Sequence, residues 1–328
     1  MITAENLYED TFIGGLKAKN HFVRSATAIG NAAEDGLPSE AVMKEYTALA
    51  KGQIGTIVTG VASVADYEQP SKRQFYITSD EAIPAYKALV AAVHAEGSNI
   101  LMQLFHGSSS SQVHPETSKV LGPSAFSNPF SGLTPREMDK KDMDHVVRLF
   151  AQAAVRAKKA GFDGVQLHAG HSGLLSQFLS SGFNRRTDEY GGTRENRYRL
   201  IGEIYQAIRE STGRDFPIWI KIDSTDVFED GLTTEDFLWN GRRMAEDGFD
   251  AVEVSGMVHP RMYRGAYYRE AGERLSEQIN KSVILTGGLR NLKDMLEIAN
   301  ESRLRFFGMS TPFIRYPDYL LRIKNMEA

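Results

Sequence analysis

The amino-acid sequence predicts a single (β/α)8 barrel that spans residues 1–328. Short, apolar, β-branched runs alternate with longer stretches of helical periodicity, which is the pattern of a parallel sheet built from βα units. Eight such units can be counted, and eight strands are enough to close a barrel. No linker, short repeat or low-complexity segment interrupts them. The predicted strands cover residues 22–26, 56–60, 100–104, 164–168, 218–222, 251–255, 283–286 and 306–309.

The predicted helices between these strands have recognisable ends. Ser79 and Asn291 are predicted N-caps, because their side-chain oxygens can accept a hydrogen bond from the first helical turn. Gly97, Gly161 and Gly248 follow apolar-periodic runs and are predicted to end helices, since glycine readily adopts the left-handed conformation found there.

Two of the loops that follow predicted strands are long. Residues 105–140 follow the third strand, and residues 169–193 follow the fourth. Active sites of such barrels are built from the loops at the carboxyl ends of the strands, so both are candidate parts of a site. The first is polar and interrupted by prolines, a composition that favours a lid or a pocket wall.

Composition and charge exclude several classes of function. A hydrophobic fraction of 41% and a charged fraction of 24% are typical of a globular protein with a large core. A net charge of -4 and a pI near 6.1 provide no basic surface for nucleic acid or for anionic lipid. Residues 1–16 lack the apolar run of a signal peptide, and no stretch is long enough to span a membrane. We therefore expect a cytoplasmic protein with neither kind of partner.

The chain contains 0 cysteines. Disulfides, thiolate zinc sites, cysteine-ligated iron-sulfur clusters and thiol nucleophiles are therefore excluded together. Redox chemistry in this chain requires a bound organic cofactor or a metal site of another kind.

Two histidines lie at the end of the fourth predicted strand. His168 is its last residue, and His171 follows three residues later in the loop. Either histidine taken singly can be a structural residue with a satisfied hydrogen bond, but the carboxyl end of a barrel strand favours a functional role. Because no helical histidine pair or cysteine set accompanies them, no metal site is predicted.

A longer motif begins at this histidine pair and resembles the signature of the Old Yellow Enzyme family of FMN-dependent oxidoreductases. The matching residues are His168-Ala169-Gly170-His171, Leu175, Gln177-Phe178-Leu179, Asn184, Arg186-Thr187-Asp188, Tyr190-Gly191-Gly192 and Glu195-Asn196-Arg197. The similarity extends over nearly the whole chain, through Asn20, Arg24-Ser25-Ala26-Thr27, Met102-Gln103-Leu104, His106, Pro312-Phe313-Ile314-Arg315 and Pro317. The fold of that family is the barrel that the strand count predicts.

The resemblance implies positions for the flavin ring of FMN. Gln103 would hydrogen-bond the pyrimidine edge, because an amide offers both a donor and an acceptor. Lys221 would lie beside the flavin N1 and O2 atoms, where a cation stabilises the reduced, anionic flavin. Without the resemblance, Lys221 could be a surface charge at a strand end. The residues implied to line the ring are Ser25, Ala26, Thr27, Ala28 and Gly60.

The resemblance also implies a phosphate site after the last two strands. Gly287 and Gly288 follow the seventh strand, while Ser310 and Thr311 follow the eighth. Barrels commonly bind phosphate there, where backbone amides and a short helix favour an anion. A Gly-Gly pair by itself indicates only a turn.

The activity that the resemblance implies is hydride transfer through FMN. NADH or NADPH would reduce the flavin, which would then reduce a small electrophilic acceptor such as a conjugated carbonyl or nitro compound. His168 and His171 would bind the acceptor oxygen and stabilise the negative charge that grows there. A homo-oligomer is compatible with the sequence.

The sequence departs from the family at several positions. Gly173 stands where the family usually has a tyrosine that delivers a proton, and the remaining candidates are loop tyrosines or water. Ala28 and Gly30 replace residues that tune the flavin and contact the substrate in many members. Thr311 replaces a phosphate-binding arginine, so Ser310, backbone amides and Arg290 remain, and weaker FMN retention is expected. Ser172 is too weak an acid to replace the family's tyrosine easily. The candidate loop tyrosines are Tyr67, Tyr263, Tyr267 and Tyr268.

Two other functions stay open at this point. The first is a flavin carrier or sensor that has lost alkene reduction, and Gly173, Ala28 and Thr311 favour it. The second is a metal-dependent hydrolase barrel that uses His168 and His171, which would be colourless. Longer family members carry an iron-sulfur site and a second domain, and we expect neither in this chain.

Overall fold

The computed structural model describes residues 1–67, 72–110, 120–257 and 265–326. Within them, eight parallel strands pair in chain order, and the eighth pairs with the first, so the barrel is closed. The fold prediction is confirmed. The strands are β1 (Phe22–Arg24), β2 (Thr56–Ser63), β3 (Asn99–Phe105), β4 (Gly164–Ala169), β5 (Ile218–Asp223), β6 (Ala251–Ser255), β7 (Ser282–Thr286) and β8 (Phe306–Met309).

Helices follow the strands and cover the outside of the barrel. Their buried faces form, with the outer faces of the strands, the larger hydrophobic core. The long helices of the described residues are α1 (Glu40–Lys51), α2 (Ile83–His94), α3 (Lys140–Ala160), α4 (Arg194–Thr212), α5 (Thr234–Asp247), α6 (Arg269–Gln278), α7 (Leu292–Glu301) and α8 (Tyr319–Met326). None of the helices in these residues has both the length and the apolar character that crossing a bilayer requires.

Most of the predicted helix ends are correct. The Asn291 side chain accepts a hydrogen bond from the Asp294 amide, and Gly161 and Gly248 end α3 and α5 in the left-handed conformation. Ser79 is the N-cap residue, but of a short 3-10 turn (Asp80–Ala82) that precedes α2, and its hydroxyl donates to Glu81 instead of accepting from a backbone amide of that turn.

The amino-terminal end of the barrel is closed by a hairpin of Thr11–Ile13 and Leu16–Ala18. The indole nitrogen of Trp219 donates to the Gly14 carbonyl at 2.8 Å, which anchors the hairpin turn to β5. Ile13 and Ala18 pack with Trp219 in a separate apolar cluster inside the barrel. Water is therefore kept out of this end, and the polar interior lies toward the other end.

Polar side chains fill the barrel interior toward its carboxyl end. Strand register pairs Gln103 with Gln166, and pairs Lys221 with both His168 and Glu253. All five side chains are buried. Buried polar groups are costly unless they are hydrogen-bonded, so this layer must be held together by specific contacts.

Candidate active site

The candidate site is a cavity of about 420 Å³ at the carboxyl ends of the strands. That volume lies within the range of small-molecule and cofactor sites, which runs from roughly 300 to 1,000 Å³. Its lining includes eight of the residues selected from the sequence: Ser25, Ala26, His171, Lys221, Gly287, Gly288, Ser310 and Thr311.

The remaining selected residues lie beside this cavity. Thr27, Ala28 and Gly60 line a second, smaller cavity. The two cavities have linings in contact, because Thr27 Oγ1 lies 2.7 Å from Oγ of Ser310, which lines the larger one. Gln103 and His168 are not among the described residues that line the larger cavity. Both side chains are buried, and they belong to the polar layer inside the barrel.

Glu253 is the centre of the polar layer beneath the cavity. It is 0% exposed, and three residues of the cavity lining meet one of its oxygens, Oε1. The Ser25 hydroxyl donates to Oε1, the Thr286 hydroxyl donates to it at 2.9 Å, and Lys221 Nζ lies 3.1 Å away. The other oxygen, Oε2, accepts from Gln166 Nε2 at 2.7 Å. This carboxylate therefore holds the floor of the cavity together.

The contacts of Glu253 keep it ionised. Burial alone would raise the pKa of its carboxyl group, but the charge of Lys221 and the donors around it outweigh burial and lower the pKa below its ordinary value. Lys221 also donates to Ser25 Oγ at 3.0 Å. Within the part of the chain that the structure describes, two of the three ammonium hydrogens thus have partners, which leaves one for a ligand in the cavity.

Gln103 extends this layer toward β3. Its amide nitrogen donates to Gln166 Oε1 at 2.7 Å, and its backbone N–H donates to Thr59 Oγ1 at 3.1 Å. The Gln103 side chain is therefore held in one orientation by a neighbour that is itself bound to Glu253.

His168 and His171 lie side by side, with ring centroids 5.2 Å apart. His168 is buried against Phe105, and among the described residues its Nδ1 has no hydrogen-bond partner. Burial, followed by the charges of His171 and Lys221, lowers the pKa of His168 well below its ordinary value. His168 is therefore a neutral imidazole at pH 7, with an unpaired nitrogen in a dry environment.

The backbone at His171 is held in an uncommon conformation. His171 and Ser172 both have positive φ, of 54° and 53°, which is strained for residues with a side chain. Asp223 at the end of β5 stabilises this turn, because its Oδ2 accepts from the His171 N–H at 2.6 Å. The imidazole Nε2 lies 3.1 Å from Ser255 Oγ and 3.6 Å from Asp223 Oδ1.

Asp223 is a buried carboxyl group with few partners. Burial raises its pKa to about 7, although the His171 N–H and the charge of Lys221 act in the opposite direction. Its Oδ1 has no hydrogen-bond partner among the described residues. Asp223 therefore titrates close to neutral pH next to one of the two candidate catalytic histidines.

Gly173, where the family resemblance implies a tyrosine, lies against the ring of Phe105. A Cβ atom added to Gly173 would lie 2.4 Å from Phe105 Cε2, so no larger side chain fits there without movement of that ring. The φ of Gly173 is -68°, a value that any residue adopts. Space, and not backbone conformation, therefore excludes a tyrosine.

The tyrosines that could donate a proton differ in whether they line the larger cavity. Tyr267 and Tyr268 line the larger cavity, and the Tyr268 hydroxyl donates to the Gly256 carbonyl at 2.9 Å. Burial raises the pKa of Tyr268 to about 12, which makes it a weak acid. Tyr67 contacts His106 Nε2 at 3.1 Å, and Tyr263 lies outside the described residues.

The far end of the cavity is formed by the loops after β7 and β8. Gly287 and Gly288 have φ values of 115° and 77°, and Ser310 precedes the short helix Thr311–Arg315. Arg290 also lines this end and is the cation nearest in the chain to the glycine pair. A cavity with Lys221 at its floor and backbone turns and an arginine at its far end fits an elongated ligand with an anionic tail.

Several residues of the sequence motif are structural. Arg186 binds Asp188 and donates to the Pro123 and Met138 carbonyls at 3.0 and 2.8 Å, which joins the loop after β4 to the loop after β3. Arg197 on α4 donates to the Leu179 carbonyl at 2.9 Å. These contacts hold the loop that presents the histidines.

Sequence reasoning missed three residues of this site: Glu253, Asp223 and Phe105. A signal existed for Glu253, since it is the only charged residue of the buried strand β6. Asp223 and Phe105 carried no such signal, because their roles depend on which loop each strand end meets.

Comparison with known proteins identifies relatives of this chain. A family model described as NADH:flavin oxidoreductase / NADH oxidase family matches residues 6–328. An NADPH dehydrogenase of Geobacillus sp. (strain WCH70) is 35% identical over 318 residues, which are 95% of this chain and 91% of the relative. An NADPH dehydrogenase of Bacillus subtilis (strain 168) is 30% identical over 319 residues, 96% of this chain and 93% of the relative.

Other similar proteins are longer than this chain. An NADH oxidase of Thermoanaerobacter brockii is 31% identical over 98% of this chain, but over 51% of its own length. A solved 2-naphthoyl-CoA reductase superposes with a TM-score of 0.92 at 23% identity, over 99% of this chain and 53% of that one. This chain thus spans about half the length of that reductase.

A morphinone reductase in complex with tetrahydroNAD gives a TM-score of 0.85 at 24% identity, over 98% of this chain and 91% of that one. Likeness at such low identity shows the fold alone. The family match and the curated relatives go further and confirm the resemblance to Old Yellow Enzyme. The chain belongs to the NADH:flavin oxidoreductase / NADH oxidase family and is an FMN-dependent oxidoreductase that uses a nicotinamide reductant.

Proposed function

We propose that this chain reduces a small electrophilic acceptor, such as a conjugated carbonyl or nitro compound, and that His168 and His171 bind the acceptor oxygen. The observation that carries the proposal is the histidine pair itself. Two imidazoles lie 5.2 Å apart at the carboxyl end of β4, next to a cavity of cofactor size. FMN, when bound there, supplies the hydride.

His168 suits an electrophilic role and not a basic one. Its depressed pKa leaves the ring neutral at pH 7 and makes it a weak base. The neutral ring still carries one N–H, which can donate to the acceptor oxygen. A fixed donor in a dry site stabilises a growing oxyanion more strongly than water does. His171 would act as the second donor, and Asp223 would hold its backbone in place.

The residues of the cavity fit FMN. We propose that the ring lies over Ser25, Ala26 and Lys221, with Thr27, Ala28 and Gly60 beside it and Gln103 at its pyrimidine edge. The Ser25 hydroxyl hydrogen is committed to Glu253, so this side chain offers only an acceptor to the ring. The phosphate would meet Gly287, Gly288, Ser310, Thr311 and Arg290 at the far end.

Rapid mixing tests the proposal. NADH or NADPH should bleach the flavin absorbance of the purified protein, and cyclohexenone or a nitro compound should then restore it without oxygen. His168→Ala and His171→Ala should slow the second step by about 10²-fold or more, as expected for loss of an oxyanion donor, and leave the first step less affected. His94→Gln, on the exposed face of α2, is the matched control and should change neither step.

A phenolic ligand provides a second readout. Phenolates resemble the enolate and should bind above the flavin with a long-wavelength absorbance band. If both histidine variants bind the phenol as tightly as the parent protein does, the proposed role of the pair is wrong.

The second candidate is a flavin carrier or sensor without acceptor reduction. Phe105 favours it, because its ring lies against Gly173 and leaves no room there for the usual tyrosine. In that case NADH or NADPH bleaches the flavin, and neither cyclohexenone nor a nitro compound restores it in the absence of oxygen.

A further inference from the structure

Lys221 is not an isolated cation. Its ammonium group lies 3.1 Å from Glu253 Oε1, and the two residues are register partners on β5 and β6. Both side chains are almost fully removed from water, with exposures of 5% and 0%. Charges at this distance in a dry interior act on their surroundings as a pair, and the field of one largely cancels that of the other.

We propose that Glu253 is a positioning residue that offsets the charge of Lys221 and so lowers the preference of the site for reduced over oxidised FMN. The inference rests on the proposed position of the flavin over Ser25 and Lys221. A lone cation beside the ring would favour the reduced, anionic flavin, whereas a compensated one favours it much less.

The surroundings of Glu253 keep its charge permanent. Oε1 accepts from Ser25, Thr286 and Lys221, and Oε2 accepts from Gln166. Charge-assisted hydrogen bonds of this kind are strong, and four donors converge on this one carboxylate. The compensation therefore does not depend on a mobile side chain.

These contacts also place Glu253 directly below the ligand. Ser25, Lys221 and Thr286 all line the cavity, and all three meet the same oxygen. The carboxylate is thus separated from the cavity by one layer of side chains. At such a distance a buried charge acts on a ligand with little screening by water.

A purely structural role is the alternative. Glu253 on β6 joins side chains from β4, β5 and β7 and from Ser25, which directly follows β1, so its loss could simply loosen the floor of the cavity. A loosened floor would weaken the binding of oxidised and reduced FMN by similar factors. An electrostatic role would change the ratio of the two affinities.

The experiment measures the dissociation constants of oxidised and reduced FMN, together with the reduction potential of the bound flavin. Glu253→Gln should raise the affinity ratio of reduced to oxidised FMN by about tenfold, which is about 30 mV for a two-electron couple. Lys221→Gln should lower the ratio by a similar factor. The double variant removes both charges, so the net charge beside the ring is again close to zero, and the ratio should return to within about threefold of the parent ratio. The fold should accept this change, because a buried ion pair can be replaced by neutral groups.

Thr286→Val is the matched control for hydrogen bonding. It removes one donor to the same carboxylate oxygen and keeps both charges, so the ratio should change by less than about threefold. None of these measurements requires turnover of an acceptor.

The outcomes separate the two ideas. If Lys221→Gln leaves the ratio unchanged, the flavin does not lie beside Lys221, and its proposed position is wrong. If Lys221→Gln lowers the ratio but Glu253→Gln weakens both forms of FMN equally, Glu253 is structural and the inference is overturned. The double variant decides the matter even if Glu253→Gln does not fold: a ratio equal to that of Lys221→Gln overturns the inference, and a ratio near the parent supports it.

Discussion

Replacement of Asp223 by asparagine should make the protein progressively more stable than its parent as the pH rises. Asp223 is 5% exposed, and burial raises its pKa from an ordinary 3.8 to about 7. Between these pH values the folded protein holds a proton that the unfolded chain has lost. Stability falls with rising pH wherever the folded state binds more protons. The destabilisation by this carboxyl group therefore grows from about pH 4 to about pH 7 and stays constant above that.

The size of the effect follows from the pKa difference. A rise from 3.8 to about 7 corresponds to about 4 kcal/mol in full, since each pH unit contributes about 1.4 kcal/mol. Between about pH 5 and about pH 8, the gap in unfolding free energy between Asp223→Asn and the parent should therefore widen by about 3 kcal/mol. Asparagine can still accept the His171 N–H, so the turn should keep its shape.

Urea unfolding of the FMN-loaded protein at several pH values measures this gap. The depressed pKa of His168 acts in the other direction, because stability falls as the pH drops below the ordinary histidine pKa. That contribution is present in both proteins and cancels in the difference. Ser224→Ala is the control, since it removes a neighbouring buried hydroxyl without changing a titrating group. The difference in unfolding free energy between Ser224→Ala and the parent should not vary with pH. A gap for Asp223→Asn that stays constant from about pH 5 to about pH 8 would refute the reasoning.

Three further substitutions test other parts of the structure. Gly173→Ala should destabilise the protein by about 1–3 kcal/mol in urea unfolding, because its Cβ would meet the Phe105 ring at 2.4 Å, and a neutral result would contradict this contact. In a Phe105→Ala background, which is itself destabilised, Gly173→Ala should cost little more, because the ring is gone. Gly14→Ala should lower the free energy of unfolding by about 3 kcal/mol or more, because Gly14 has a φ of +50° and an added Cβ would lie 2.2 Å from the Trp219 side chain. A melting temperature equal to that of the parent would show that the hairpin does not pack on Trp219. Thr311→Arg should tighten FMN binding by about tenfold through a charge-assisted contact to the phosphate, as measured by fluorescence titration, and unchanged affinity would place the phosphate elsewhere.

The fold and the family could be read from the sequence because their signals are local. Each βα unit carries its own periodicity, and all eight strands lie within a few residues of their predicted bounds. The motif from His168 to Arg197 is likewise continuous in the chain, and it indicated the family, FMN and the nicotinamide reductant that the comparisons confirm. The roles of the individual site residues, the single domain and the homo-oligomer stay predictions.

The residues that sequence reasoning missed are joined by contacts between distant parts of the chain. Ser25 and Glu253 are 228 positions apart, and His171 and Asp223 are 52 apart. Which side chains meet inside a closed barrel depends on the stagger between neighbouring strands, and no local pattern encodes that stagger. The sequence by itself therefore determined the barrel, the FMN family and the histidine pair, because each is a matter of order along the chain. Only the tertiary structure decided that Lys221 is paired with Glu253, that Asp223 accepts from the His171 N–H and that Phe105 packs against Gly173, because each depends on groups that folding brings together across the barrel.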